Sequence, residues 1–448
     1  MATRSVVTPT TDDGKRAARF RHRPGIILAL LVTCYLMVIV DNNVVTIALP
    51  KIESNLRFSP TALSWVLSAY MLAFGGLLLL GGRTGDILGR RRVFVTGVAL
   101  FTISSLLGGL APTAWWLLTA RALQGIGAAF ASPGAMALLM TNFKEGQARN
   151  KALAVYSTLA GLGMAIGMIL GGLITEFTSW RWVLFINVPF GVLVAVLTPL
   201  FVTDPERNKG RLDVLGAVLG TVGTASLVFA LLRASANGWG DGLTIGALVL
   251  AVVLLAVFVI SQRRISQPVL PLRLFANRNR AVGYFIVLLT MACLFSVLFF
   301  ISQFLQLILG YGALITGVAF LPMAAGMFGM SRLTAKLLPK TGALALILVG
   351  LALVAGGAFW LAQLDVHTSY AGGLLVPMLM FGIGIGMFLM PLTSLILSAV
   401  APQDAGAATG VMQTMQQVGG SLGLAVLVTV YGTSLHGAGG STQDATVH

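Results

Sequence analysis

Apolar runs of about 18 or more residues recur along almost the whole chain, separated by short polar connections. Each run is long enough to cross a hydrocarbon core of roughly 30 Å as a helix. The pattern predicts thirteen spans, at 25–49, 62–82, 93–111, 114–138, 151–174, 181–202, 213–233, 243–262, 281–309, 312–336, 341–361, 370–397 and 405–430. The short alternating segments of a transmembrane barrel are not found. The expected fold class is therefore an all-α polytopic membrane protein. The longest connection, 263–280, holds five arginines with Pro268 and Pro271, and reads as a linker or a surface-lying segment. Residues 1–24 form a basic tail and 431–448 a polar one. The tail and Ile26–Val40 alone would pass as a signal peptide, but the apolar stretch runs on to Leu49 and many spans follow, so it reads as a first span.

Composition agrees with this class. Of 448 residues, 57% are hydrophobic and only 10% charged, with a mean hydropathy of +0.91. Soluble domains carry about 25% charged residues. The net charge of +15 would suggest nucleic acid in a soluble chain. Here 24 of the 29 Lys and Arg residues fall on one side of the predicted spans. That asymmetry places the N-terminus in the cytoplasm and the basic loops against anionic lipid of the cell membrane. No nucleic-acid partner is needed to explain it. Cys34 and Cys293 sit in apolar runs and read as small packing residues. His22, His367, His436 and His448 lie in tails and loops, so neither a metal site nor a cofactor is expected. No phosphate-binding Gly-x-x-x-x-Gly-Lys-Ser/Thr loop occurs, which disfavours an ATP-driven pump. A membrane enzyme or a sensor is disfavoured too, for want of catalytic groups and of a domain to signal through.

Two charges remain deep in the spans. Asp41 lies in Leu36–Pro50 beside Asn42 and Asn43, and Arg121 lies in the fourth span. A charge at the bilayer centre costs about 2.5–3.5 kcal/mol on insertion scales and usually marks an internal path. At 1.5 Å per residue, Asp41 is roughly 12 Å and Arg121 roughly 10 Å from the outer ends of their spans. They are expected at similar height, facing one cavity. A conformational change that alters the burial of Asp41, or its distance from a guanidinium, would load or release a proton. A static structural pair, or an arginine that snorkels outward, is the alternative.

The loop Gly82-Arg-Thr-Gly-Asp86-Ile-Leu-Gly89-Arg90-Arg91-Arg92 joins spans 2 and 3. It resembles the signature cytoplasmic loop of the major facilitator superfamily, with Thr84 where Leu is usual and Ile87 where Arg is common. Asp41-Asn-Asn-Val-Val-Thr-Ile-Ala-Leu-Pro50 resembles the span-1 motif of the fourteen-span drug/proton antiporter family. Arg121-Ala-Leu-Gln124-Gly125-Ile-Gly127 resembles its span-4 motif, and Trp180-Arg-Trp-Val-Leu-Phe-Ile-Asn187-Val-Pro189 the start of its span 6. Pro268–Phe275 is similar to the loop after its two extra central spans. Gly163, Gly167, Gly171 and Gly172 resemble its antiporter motif, with Met168 where Pro is usual; glycines four apart give a smooth face for close packing.

The resemblance covers roughly 25–430 and implies two helical bundles with two extra central spans. These would be a six-helix bundle at 25–202, an inserted pair and linker at 203–280, and a five-span bundle at 281–430 where the family has six. The missing last span is expected to reflect truncation. Ser331–Gly342 is a faded counterpart of the span 2–3 loop. The implied function is proton-coupled efflux of hydrophobic or cationic drugs by alternating access. The alternative is a dedicated exporter of one endogenous metabolite or antibiotic. The expected partners are a small-molecule substrate, protons and membrane lipid, and the expected state is a monomer. Asp41 and Arg121 would couple protons, and Asp41 could also attract a cationic drug. Gly82, Asp86, Gly89, Arg90 and Arg91 would form the cytoplasmic gate loop. A cavity for amphipathic molecules wants aromatic surface with a few polar groups. Its expected lining is Asn42, Asn43, Tyr70, Gln124, Tyr156, Phe300, Gln303, Gln306 and Gln413, with Gln303 and Gln306 sharing a helix face.

Overall fold

The computed structural model describes residues 23–143, 146–204, 212–265, 267–365, 367–398, 400 and 405–437. The basic tail through residue 22, Lys144, Arg207, Lys209, Arg211 and the tail from 438 lie outside them. The described chain is helical, without strands, and thirteen long helices run through it. The first six are α1 (Pro24–Leu56), α2 (Trp65–Leu88), α3 (Arg90–Gly109), α4 (Ala114–Asn142), α5 (Gln147–Phe177) and α6 (Asn187–Phe201). Two follow in the middle, α7 (Val214–Asn237) and α8 (Gly242–Arg264). The last five are α9 (Arg278–Gln303), α10 (Leu321–Thr341), α11 (Ala343–Leu361), α12 (Leu375–Leu397) and α13 (Ala405–Gly437). Among the described residues, eleven helical stretches are long and apolar enough to cross a membrane. The other two long helices are α5, with its apolar part at Leu162–Phe177, and α13.

Local chemistry sets the helix starts. Asp213, Asp241 and Asn277 cap α7, α8 and α9 by accepting from Gly216, Thr244 and Arg280 N–H at 2.8, 3.1 and 3.2 Å. Such caps satisfy amide groups that a helix start leaves unpaired. Gly89, between α2 and α3, and Gly342, between α10 and α11, both take positive φ, 110° and 77°. A side chain would strain either turn. The two turns stand at matching places in the span 2–3 loop and in its faded counterpart.

Two apolar cores form. One gathers Leu31, Leu49, Tyr70, Phe94, Phe101 and Leu139 from α1–α4. The other gathers Tyr284, Phe320, Met323, Phe381 and Phe388 from α9–α12. Helix α13 serves both, giving Val411 to the second and Leu424 to the first. It also packs along α2, where Thr414 donates to the Gly75 carbonyl at 3.0 Å. Helix α7 covers this seam from outside: Thr429 of α13 donates to the Leu231 carbonyl at 2.7 Å. A Cβ on Gly76 of α2 would meet Thr221 of α7. Helix α8 is outermost, with only 11% of its apolar window buried, and presents Val252, Val253 and Val257 outward.

The two ends of the bundle differ. One carries the loop 82–92 and the arginines of 263–280. The opposite end carries exposed Trp115, Trp116, Trp182, Trp239 and Trp360. Trp is the side chain that favours a membrane–water boundary.

Candidate functional site

The deep charges meet. Arg121 Nη1 lies 2.5 Å from Asp41 Oδ2, and the two residues are 0% and 1% exposed. Asp41 Oδ1 accepts from Gln124 Nε2 and from Asn187 Nδ2, both at 2.7 Å. Gln124 in turn accepts from Arg121 Nη1 at 2.8 Å and donates to Ser105 Oγ at 2.7 Å. Arg121 Nε donates to the Val66 carbonyl at 3.0 Å, and the guanidinium lies over the Tyr70 ring, 4.4 Å from its centroid. Five helices, α1, α2, α3, α4 and α6, thus converge on this cluster. The two Asp41 oxygens receive three N–H donors, against about four lone-pair sites on a carboxylate. Arg121 Nη2 and the Tyr70 hydroxyl are buried without a hydrogen-bond partner. The cluster therefore has spare donors for a rearranged state.

A cavity of about 1260 Å³ lies beside this cluster. Its inner wall includes Tyr35, Asn42, Asn43, Tyr156, Met164 and Gln413. The Tyr35 and Tyr156 rings stack at 3.9 Å with 17° between planes. The cavity widens toward the basic end, where Arg83, Asp86, Arg90, Arg263 and Arg273 lie on its wall. Arg83 donates to Gln267 Oε1 at 3.0 Å, tying the last turns of α2 to the linker after α8. Asp86 and Arg90 pair at 2.8 Å. Arg91 instead leaves the mouth: its backbone N–H donates to Asp204 at 3.0 Å, and its guanidinium to the Pro199 and Val202 carbonyls at 3.2 and 3.1 Å.

The opposite end is shut. Gln306 donates to the Ile47 carbonyl at 3.0 Å and Ser302 to the Thr46 carbonyl at 3.3 Å. Glu176 accepts from Ala313 N–H at 2.6 Å. Backbones also touch there: a Cβ on Gly172 would sit 2.7 Å from Leu314 Cα, and one on Gly317 would strike the Met168 carbonyl. The space between the cores is thus open at one end and closed at the other.

This architecture has counterparts. The sequence matches the Major Facilitator Superfamily over residues 31–424. The chain belongs to that superfamily. It is a multi-pass membrane transporter, which takes a small-molecule substrate, rather than an enzyme. It is 42% identical to the puromycin resistance protein of Streptomyces alboniger over 94% of this chain and 86% of that protein. It is 40% identical to the cephamycin export protein of Amycolatopsis lactamdurans, over 94% and 87%. Among solved structures, a bacterial homolog of the human lysosomal transporter Spinster shares the fold with a TM-score of 0.65 at 18% identity, over 92% and 84% of the two chains.

Within the transporter, the residues expected to line the cavity divide. Asn42, Asn43, Tyr156 and Gln413 are on its wall. Tyr70 and Gln124 are not; they belong to the Asp41 cluster, where hydrogen bonding and the Arg121 stack hold them. Phe300 packs edge-on against Phe299 and Tyr431, at 5.3 and 5.9 Å. Gln306 spans to α1 at the closed end, and Gln303 Oε1 is buried without a partner. Directly after Gln303, α9 gives way to a π-helical turn at Phe304–Ile308, and neither glutamine is on the cavity wall. Gly163, Gly167 and Gly171 meet α1, where added Cβ atoms would lie 2.6 Å from Ile39 Cγ2, 2.7 Å from Asn43 Cβ and 2.9 Å from Val44 Cα. Only Gly172 of that motif faces the second core. Of the expected gate-loop residues, Gly82, Asp86 and Arg90 reach the cavity mouth; Gly89 makes the turn and Arg91 anchors to α6.

Sequence reasoning missed Asn187 and Ser105 as members of the cluster. Asn187 carried a usable signal, since a lone amide in an apolar run is costly against lipid. Ser105 carried none, because a serine satisfies itself on its own helix as easily as across helices.

Proposed function

We propose that the chain is a proton-coupled exporter working by alternating access, with its basic end in the cytoplasm. The observation that carries this is the juxtaposition of a sealed Asp41–Arg121 cluster with a cavity open only toward the basic end. Asn42 and Asn43, on the cavity wall, directly follow Asp41 on α1. A shift of α1 along the glycine face of α5 would move the carboxylate against its donors and reshape the cavity together. The halves that move are 25–202 and 281–430, with 203–280 as the inserted pair and linker. Proton arrival at Asp41 would release Arg121 toward other acceptors, and substrate binding would favour the reverse. The tryptophans at the closed end and the arginines at the open one support the orientation, in the cell membrane with the N-terminus inside. The protein works as a monomer in this reading, since one chain holds both cavity and cluster, and lipid is its surrounding solvent.

The relatives favour a second, narrower reading: a resistance or export device for one antibiotic. Accumulation of neutral, anionic and cationic fluorescent dyes in expressing cells separates these readings. Broad, protonophore-sensitive efflux fits a multidrug exporter, and efflux of one antibiotic fits the narrower device. Efflux that persists after the proton gradient is collapsed contradicts coupling.

A further inference from the structure

The cavity wall has a charge pattern that efflux alone does not explain. Among its described residues, four guanidinium groups (Arg83, Arg90, Arg263, Arg273) face two carboxylates, Asp86 and Asp213. Both carboxylates are engaged. Asp86 pairs with Arg90 at 2.8 Å. Asp213 accepts from Gly216 N–H, Gln262 Nε2 and Val269 N–H at 2.8, 2.7 and 3.3 Å. Asp41 lies behind the wall, turned onto Arg121, Gln124 and Asn187. Deeper in, the polar groups are neutral: Asn42, Asn43, Ser132, Gln413, Gln416 and Gln417. Asn42 Oδ1 and Ser132 Oγ are buried and have no hydrogen-bond partner.

We propose that this cavity takes planar amphiphiles that carry a negative charge or none, and that it rejects organic cations. The proposal rests on the efflux reading of the same cavity. The ligand's ring system lodges against the stacked Tyr35–Tyr156 pair, and an anionic end points back to the arginines at the mouth. A cation entering here loses hydration deep between the helices and finds no available carboxylate among the described wall residues. The guanidinium excess at the mouth also disfavours its approach.

The test uses two dyes that share a xanthene ring system and differ in charge: anionic fluorescein and cationic rhodamine 123. Binding to the full chain in lipid nanodiscs is read by fluorescence anisotropy, with empty nanodiscs subtracted. Fluorescein is expected to bind at least about tenfold tighter, a difference of roughly 1.4 kcal/mol. Gln413→Glu adds a carboxylate to the wall and is expected to erase or invert that ratio; Gln416→Glu replaces it if the first variant does not fold. Equal or tighter rhodamine 123 binding by the unaltered protein overturns the proposal. So does the absence of binding by either dye, or a folded carboxylate variant with an unchanged ratio. The assay needs no gradient, so it fails separately from the flux test. A charge preference without flux contradicts efflux, and flux without the preference contradicts only this proposal.

Discussion

The two halves of the bundle fill their centres differently. In the first, a carboxylate and a guanidinium sit fully buried among amides and a hydroxyl; Asp41 links α1 to α4 and α6, and Arg121 and Gln124 carry the network on to α2 and α3. In the second, Phe320, Met323, Phe381 and Phe388 fill the corresponding space, and among the described residues from 278 to 437 the one buried charge is Arg280, at the start of α9, which donates to the Ile396 carbonyl at 3.3 Å. The second half has instead two π-helical turns, Phe304–Ile308 and Tyr370–Leu374. The turn regions differ in the same sense: Asp86 pairs with Arg90 in the first, while Arg332 in the second lies over the Phe328 ring at 4.3 Å. A buried ion pair is weak as a source of stability, because desolvation offsets its attraction. Its concentration in one half therefore speaks for a working role, with the apolar half as the partner that moves against it.

The largest effect that separates the halves comes from Arg121→Leu. It leaves Asp41 buried without its cation and is expected to cost about 3–5 kcal/mol of stability. Adding Asp41→Asn should restore most of that loss, a non-additivity that denaturant unfolding of single and double variants reads directly. Equal, additive losses would make the cluster ordinary packing. A smaller effect is expected from Gly171→Ala. Its Cβ would lie 2.9 Å from Val44 Cα and 3.0 Å from the Val44 carbonyl oxygen, both backbone atoms. Overpacking of this kind costs about 1–3 kcal/mol, and it should slow transport more than it weakens binding. Glu176→Gln sharpens the contrast at the closed end. It weakens one hydrogen bond between the halves, and with solvent nearby about 1 kcal/mol is expected. Distance measurements between spin labels at the two ends should show more molecules open at the tryptophan end.

The smallest effect is expected at Asp241, far from either core. Its hydrogen bond from the Arg233 guanidinium, at 2.6 Å, holds its carboxyl below the ordinary value of 3.8. A lowered carboxyl supports the fold above its ordinary value and loses that support as pH falls through the lowered one. In denaturant unfolding, Asp241→Asn should therefore be slightly less stable than the unaltered protein at neutral pH, and the difference should shrink as pH falls below 3.8.

Much of this was legible in the sequence. Spans read well because an apolar run of helix length has few other uses, and Asp41 and Arg121 stood out as charges with nowhere else to go. Depth counting set them at one height, and they meet. The cavity read less well. Gln303 and Gln306 were expected on its wall, yet neither is there, and Gln306 bonds to α1 at the closed end instead. Asp213, Gln262 and Gln267 reach the cavity wall only because the linker folds back under α2, a tertiary arrangement that no local pattern encodes. Tyr70, expected among the aromatics of the cavity lining, instead lies under the Arg121 guanidinium, a contact between helices that its place in an apolar run does not show.

The central claim is that Asp41 changes protonation as the transporter works. Infrared difference spectra of the reconstituted full chain, taken across an acid titration, read this without any substrate. If Asp41 is the coupling carboxyl, a carbonyl band of a buried protonated carboxyl appears on acidification, is lost in Asp41→Asn and survives in Asp86→Asn. A band that is unchanged by Asp41→Asn would contradict it.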